Sequence, residues 1–218
     1  MAGPRFRESP ERLLSTGLGT LLQRPPGHRE LDAFSRYLKL LLEWNRVYSL
    51  TSYRDPRAII QKLFLDSLLF RSLLPPERAR LMDLGSGVGI PGVPLKVVEP
   101  ELEVVLVDAH RRRSAFLATV VRELALDGVR VLHGRAAQLL AEHPELEAGY
   151  DVVVSRAVDQ PEALAPLAMR FLRRRGVFVA SGPPVGKLAK PATVGRWVTL
   201  RSPLGSSPRQ FLVVEKMH

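Results

Sequence analysis

Residues 80–98, RLMDLGSGVGIPGVPLKVV, and the run EVVLVD at 103–108 restrict the fold more than any other part of this 218-residue sequence. A buried strand runs into a glycine-rich turn, a helix start follows, and a second apolar strand ends in an acid. A Rossmann-like sheet opens a pocket for a nucleoside-bearing ligand in this way. Gly87-Val88-Gly89-Ile90-Pro91-Gly92 fits the G-x-G-x-x-G template, a weak signal when taken alone. Gly85, Gly87 and Gly89 can take positive φ and let the backbone approach a ligand with no Cβ in the way. Pro91 suits the first turn of the helix, where its missing N–H is not needed.

Asp83 narrows the ligand. It lies two residues before Gly85, at the mouth of the strand. A pyrophosphate there needs backbone N–H donors and no anion beside it. S-adenosylmethionine (SAM) has no phosphate, and its sulfonium and α-ammonium both favour a nearby carboxylate. Asp108, 25 positions after Asp83, ends the next strand, where an acid accepts ribose hydroxyls. Both SAM and NAD carry that ribose, so Asp108 supports a nucleoside without choosing between them. A glycine-rich turn can be purely structural and a strand-end Asp can be a helix cap. The spacing of Asp83, the alternating glycines and Asp108 argues for a SAM site.

The rest of the chain agrees with an α/β fold. In 31–47, Leu31, Phe34, Leu38, Leu41 and Leu42 form an amphipathic stripe, and Trp44 and Tyr48 read as packing anchors. Asp55 followed by Pro56 predicts the start of a second helix, and Pro75-Pro76 ends the pattern. Residues 1–75 are therefore expected to be a helical region and 76–218 the ligand-binding domain. Strands are predicted near 80–84, 103–108, 129–133, 150–155, 176–181, 194–201 and 209–215, and helices near 91–98, 111–126, 136–142 and 161–174. The alternation implies a seven-stranded, mostly parallel sheet covered on both faces. SPLGSSP is too short for a crossover helix, so the last two strands should form an antiparallel hairpin.

Composition excludes several chemistries. The chain has no Cys, which removes disulfides, thiolate metal sites and cysteine nucleophiles and fits a cytoplasmic setting. The five His show no metal-ligand spacing, so no metal is expected. No apolar stretch is long enough to span a bilayer, and the first residues lack the apolar core of a signal peptide. The net charge of +10 is uneven: from Arg170 onward ten Lys or Arg face one acid, Glu215. Arg170, Arg173, Arg174, Arg175, Lys187, Lys190, Arg196, Arg201 and Arg209 read as a footprint for a polyanion, with nucleic acid the first candidate. Arg111-Arg112-Arg113 opens a helix, where the macrodipole disfavours cations, so acids or RNA phosphate are expected nearby.

Several segments carry a family resemblance: LLEWNRVYSLTSYRDPRAII at 41–60, LDSL at 65–68, DLGSGVGIPGVPL at 83–95, RRSAFL at 112–117 and DVVVSRA at 151–157. Together they resemble the glucose-inhibited division protein B family (GidB, or RsmG), bacterial methyltransferases that modify guanine N7 in 16S ribosomal RNA. The resemblance implies SAM as cofactor, ribosomal RNA or the small ribosomal subunit as partner, and a Rossmann-like methyltransferase fold. It implies SAM contacts at Gly85 and Ile90, an adenine flanked by Ala136 and Ala137, and a functional Arg156. Gly87 joins these from the loop itself. The chain departs from the family's usual residues at Ser49, Leu63 and Ser181.

Guanine N7 carries an in-plane lone pair at neutral pH, so attack on a sulfonium methyl needs no base. The sequence fits that demand. It has no Cys nucleophile and carries Ser155-Arg156-Ala157-Val158 where amino methyltransferases place their Asn/Asp-Pro-Pro-aromatic tetrad. Arg156, just past the fourth strand, should point into the crevice at the sheet's C-terminal edge. There it would hold the SAM carboxylate or donate to guanine O6. The expected protein is a monomeric RNA methyltransferase. An RNA- or ribosome-binding protein that has lost catalysis is the alternative, and an NAD(P) enzyme is disfavoured by Asp83.

Overall fold

The switch from helical to alternating periodicity near residue 80 becomes a helical layer against a seven-stranded sheet. The computed structural model describes residues 8–75, 79–156, 160–182, 194–204 and 207–217. Lys187 and Lys190, and Ala157 and Val158 after Arg156, lie outside the described residues. Helix α1 (Pro10–Leu22) is capped by the Ser9 side chain and buries Leu14, Leu18 and Leu22 at intervals of four. Helix α2 (His28–Tyr48) begins earlier than its apolar stripe, because Glu30 reaches back 2.6 Å to the Gly27 N–H. Its buried face includes Phe34, Tyr37, Leu41 and Asn45.

Asp55 caps α3 (Pro56–Ile59), accepting from the Ala58 N–H at 3.1 Å. The segment beyond is not one regular helix. It widens into a π-helical turn (Ile60–Leu65) and then tightens into a 3-10 helix (Leu68–Leu73). π-Turns recur at functional sites, and the carbonyls of this one are used by Arg156, as described below.

The strands are β1 (Arg80–Leu84), β2 (Glu103–Asp108), β3 (Val129–His133), β4 (Tyr150–Ser155), β5 (Leu172–Ser181), β6 (Arg196–Leu200) and β7 (Arg209–Glu215). Their order is β3-β2-β1-β4-β5-β7-β6. The first five strands are parallel, and β6 and β7 form the antiparallel hairpin at one edge. Helices α4 (Gly92–Val98), α5 (Arg111–Glu123), α6 (Ala136–Glu142) and α7 (Pro161–Phe171) cover the two faces. Strand β5 starts at Leu172, earlier than the sequence pattern suggests, and α7 ends correspondingly sooner. The cause is an irregularity where β5 leaves β4 between Tyr150 and Val152. Arg175 there takes φ 62° and donates its N–H to the Lys216 carbonyl at 2.9 Å.

Period-two alternation sorts the sheet into two cores. Leu81, Val104, Leu106, Val152 and Val154 face α1, α2, α4, α5 and the π-turn. Met82, Leu84, Val105, Val107 and Val153 face α6 and α7. Asp83, Asp108 and Arg156 share the parity of the first set, so all three emerge on the side of the N-terminal helices. Among the described residues no helix is long and apolar enough to cross a membrane.

Candidate functional site

The strand order reverses between β1 and β4, which in open α/β sheets marks the ligand crevice at the strands' C-terminal ends. The β1 loop is pinned to its neighbour: the N–H groups of Gly85 and Ser86 both donate to the Val107 carbonyl at 2.9 Å. The Ser86 hydroxyl returns to the Asp83 carbonyl, and the Ser155 hydroxyl of β4 donates to the Leu84 carbonyl at 2.8 Å. Gly85 and Gly87 have φ of 73° and 61°, and no side chain lies within 4 Å of where their Cβ atoms would stand. That open side is where a ligand fits. Gly89 differs: a Cβ there would lie 2.8 Å from the Tyr37 hydroxyl.

Tyr37 is a site residue that the sequence pattern did not reveal. It is fully buried, stacks on Phe64 at 4.6 Å, and its hydroxyl donates to the Val88 carbonyl in the glycine loop. A helix 51 residues upstream thus fixes the loop's height above the sheet. In an apolar stripe a tyrosine reads as core, and its reach to a distant carbonyl leaves no local signal.

Asp83 lies beneath this loop with no exposed surface. Its Oδ2 accepts from the Gly92 N–H at 2.9 Å, and a Cβ on Gly92 would approach that oxygen to 2.8 Å. Its Oδ1 is buried and has no hydrogen-bond partner among the described residues. Burial, reinforced by the like charge of Asp108, pushes the carboxyl up from its ordinary 3.8 to about 7, against the Gly92 N–H and the charge of Arg156. A buried acid with an orphaned oxygen below an open glycine turn fits a cationic ligand, whose charge offsets the cost of ionisation. It does not fit a pyrophosphate. Pro91 stands one place before the helix as its N-cap, following a cis Ile90–Pro91 peptide. Ile90 is buried in the core, with its N–H on the Ser86 carbonyl.

Asp108 braces the loop from the other side. Its Oδ2 accepts from the Gly87 N–H and its Oδ1 from the His110 N–H, both at 2.8 Å. The carboxylate is therefore oriented by backbone, with the remaining lone pairs left for a ligand. The Gly134 N–H donates to the Asp108 carbonyl, which draws the start of α6 to this edge. There Ala136 is half-buried and Ala137 exposed.

Arg156 stands at the β4 edge, but not as the open donor the sequence suggested. Its Nη1 donates to the Leu63 carbonyl and the Ser67 hydroxyl, both at 3.3 Å, and its Nη2 to the Lys62 carbonyl. Asp66 pairs with it at 2.8 Å, and Arg209 shares that carboxylate at 3.4 Å. Burial lowers the guanidinium's pKa, partly offset by Asp66. The π-turn supplies these acceptors through its Lys62 and Leu63 carbonyls, the latter shared with the Ser67 hydroxyl. Leu63 contributes its main chain to this contact while its side chain packs in the core. Ser49 holds the left-handed position that ends α2, and Ser181 is buried at the end of β5.

Part of the basic C-terminal quarter is engaged within the protein. Arg170 pairs with Glu147, Arg173 with Asp151 and Arg209 with Asp66. Arg173, Arg174 and Arg175 start β5, the end of the sheet away from the crevice. The Lys216 ammonium donates to the carbonyls of Met169 and Leu172 at the end of α7. Among the described residues no three His, Cys, Asp or Glu gather as a metal site.

Comparison with known proteins agrees with this geometry. The model of the GidB family, described as rRNA small subunit methyltransferase G, matches residues 30–182. The chain is 42% identical over 152 residues to a ribosomal RNA small subunit methyltransferase G of Desulfitobacterium hafniense, an alignment covering 70% of this chain and 62% of that protein. It is 36% identical over 158 residues to a protein of the same name from Streptococcus pneumoniae, covering 72% of this chain and 66% of the relative. The aligned chain thus spans less than two thirds of either relative's length. A solved SAM-dependent methyltransferase from Aquifex aeolicus superposes with a TM-score of 0.52 at 15% identity, covering 73% of this chain and 94% of that one. That likeness shows the fold.

Proposed function

The chain belongs to the GidB family, and we propose that it is a SAM-dependent methyltransferase acting on N7 of a guanine in 16S ribosomal RNA. The observation that carries this reading is Asp83: a buried, half-satisfied carboxyl beneath an open glycine turn. Bound SAM supplies a methyl group on a cationic sulfur. Asp83 acts as a charge under the loop that favours the ligand's cationic end. Gly85, Gly87 and Ile90 form the loop against which the ligand lies, Asp108 takes the ribose, and Ala136 and Ala137 flank the adenine. Arg156, held by Asp66 and the π-turn, sets the wall on the β4 side and adds positive potential where the methionine carboxylate is placed.

Because guanine N7 needs no deprotonation, the chain's residues have to align N7 with the methyl–sulfur bond and exclude water. The pull of Asp83 also offsets the positive charge that moves onto the purine. The helices of 1–75 serve the domain of 76–218 by fixing its loop through Tyr37. With a ribosomal substrate, the protein works in the cytoplasm, and we assign it as a monomer.

The test is incubation with labelled SAM and small ribosomal subunits lacking the modification, followed by mapping of the methylated nucleotide. Transfer to a guanine N7 that disappears in Asp83→Ala supports the reading. Methylation of other RNA positions, or none, rejects it.

A further inference from the structure

Two acid-free runs of the chain meet beside the crevice. Between Glu43 and Asp55 lie Arg46 and Arg54, and between Asp108 and Glu123 lie Arg111, Arg112, Arg113 and, at the far end of α5, Arg122, with no acid in either interval. They join where the Arg112 guanidinium lies over the Tyr48 ring, 5.6 Å from its centroid. Tyr48 was read as a packing anchor, and one side of it does pack on Trp44 at 5.3 Å. Yet it remains 42% exposed, and Tyr53 is 36% exposed. Among the described residues none of Arg111, Arg112 and Arg113 forms an ion pair.

Position gives this face its meaning. Arg111 follows directly on the β2 edge that carries Asp108. At the other end, the loop carrying Tyr53 leads into α3 and the π-turn whose carbonyls hold Arg156 at the β4 edge. Asn45 holds the connecting loop rigid, since its side chain donates to the Tyr53 carbonyl at 2.9 Å and accepts from the Thr51 N–H at 2.8 Å. An exposed tyrosine at the end of α2 and another on the anchored loop, beside arginines without an ion pair, match the requirements of unpaired RNA: phosphates on cations and a splayed base on an aromatic face.

We propose that the face formed by the end of α2, the loop 49–54 and the start of α5 binds a single-stranded segment of the RNA substrate, with phosphates at Arg111 and Arg112 and an unstacked base on Tyr53. The inference rests on the methyltransferase reading above and adds the surface that delivers the guanine. It also removes Arg173, Arg174 and Arg175 from that role, since they start β5 at the opposite end of the sheet.

The test compares Arg111→Gln/Arg112→Gln and Tyr53→Ala with Arg174→Gln/Arg175→Gln as the control at the far end. Binding of 16S ribosomal RNA is titrated against salt, and methyl transfer to unmodified small subunits is measured in parallel. SAM affinity and melting temperature report on folding. The double variant should lower the salt slope by about 1.4, at about 0.7 per phosphate contact, with SAM affinity unchanged. Tyr53→Ala should raise KM for the subunit roughly tenfold, and Tyr53→Phe should restore it. The control should match wild type. Weakened RNA binding in the control with none in the double variant overturns the proposal while leaving the methyltransferase reading intact. A wild type that binds no RNA removes both.

Discussion

Replacing Asp83 with Asn removes a charge and leaves the shape. The amide oxygen can still accept from the Gly92 N–H, which holds Oδ2 at 2.9 Å. In the folded protein the carboxyl is raised from 3.8 to about 7 by burial, so the native state binds this proton more tightly than the unfolded chain. Stability from this group is thus fully present below pH 3.8, declines as pH rises toward about 7, and is constant above that. At about 1.4 kcal/mol per pH unit the ionised group costs the unliganded protein about 4 kcal/mol at pH 8. Between pH 5 and pH 8 the stability of Asp83→Asn relative to wild type should grow by roughly 2.5 kcal/mol. Urea unfolding of both proteins without ligand, at several pH values in that interval, measures the difference while cancelling the other titrating groups. An offset that stays constant across the interval refutes the reasoning, because Asp83 would then be ionised throughout in the folded protein as it is in the unfolded chain.

The same group couples ligand binding to protons. Below pH 7, SAM affinity should fall about tenfold per pH unit, and calorimetry at pH 6 in buffers of different ionisation enthalpy should show nearly one proton released per SAM bound. Tyr37→Phe deletes the hydroxyl that meets the Val88 carbonyl. It should cost about 1 kcal/mol in unfolding experiments and raise KM for SAM more than it lowers kcat. Gly85→Ala meets no atom within 4 Å but must hold φ near 73°. The backbone penalty of about 1–2 kcal/mol should lower the melting point, and the methyl on the open side should also weaken SAM binding in a titration. Lys216→Met removes the donor to the Met169 and Leu172 carbonyls and should cost about 1–2 kcal/mol with SAM affinity unchanged.

The parallel sheet was legible because strand and helix periodicities alternate without ambiguity from residue 80 onward. The strand-end positions of Asp83, Asp108 and Arg156 were legible too, since each stands at the mouth of an apolar strand. Contacts that join distant segments were not. Nothing near Tyr37 announces Val88, and nothing near Arg156 announces the carbonyls of a π-turn more than 90 residues upstream. The irregular turn from α3 to Leu73 was hidden for a related reason: its apolar spacing suits a helix, while Arg156 and Ser67 compete for its carbonyls. Charge composition hid its own pairing. A count of arginines does not reveal that Glu147, Asp151 and Asp66 already pair with three of them. The triplet Arg111-Arg112-Arg113, whose place at a helix start predicts acids or RNA phosphate nearby, forms no ion pair among the described residues.

Calorimetric titration of the purified protein at pH 8 with SAM and, separately, with NADH tests most directly whether the acid under the glycine loop selects a cation. Saturable heat with SAM, lost in Asp83→Ala, and no heat with NADH are expected. Uptake of NADH by a protein indifferent to SAM would contradict the account.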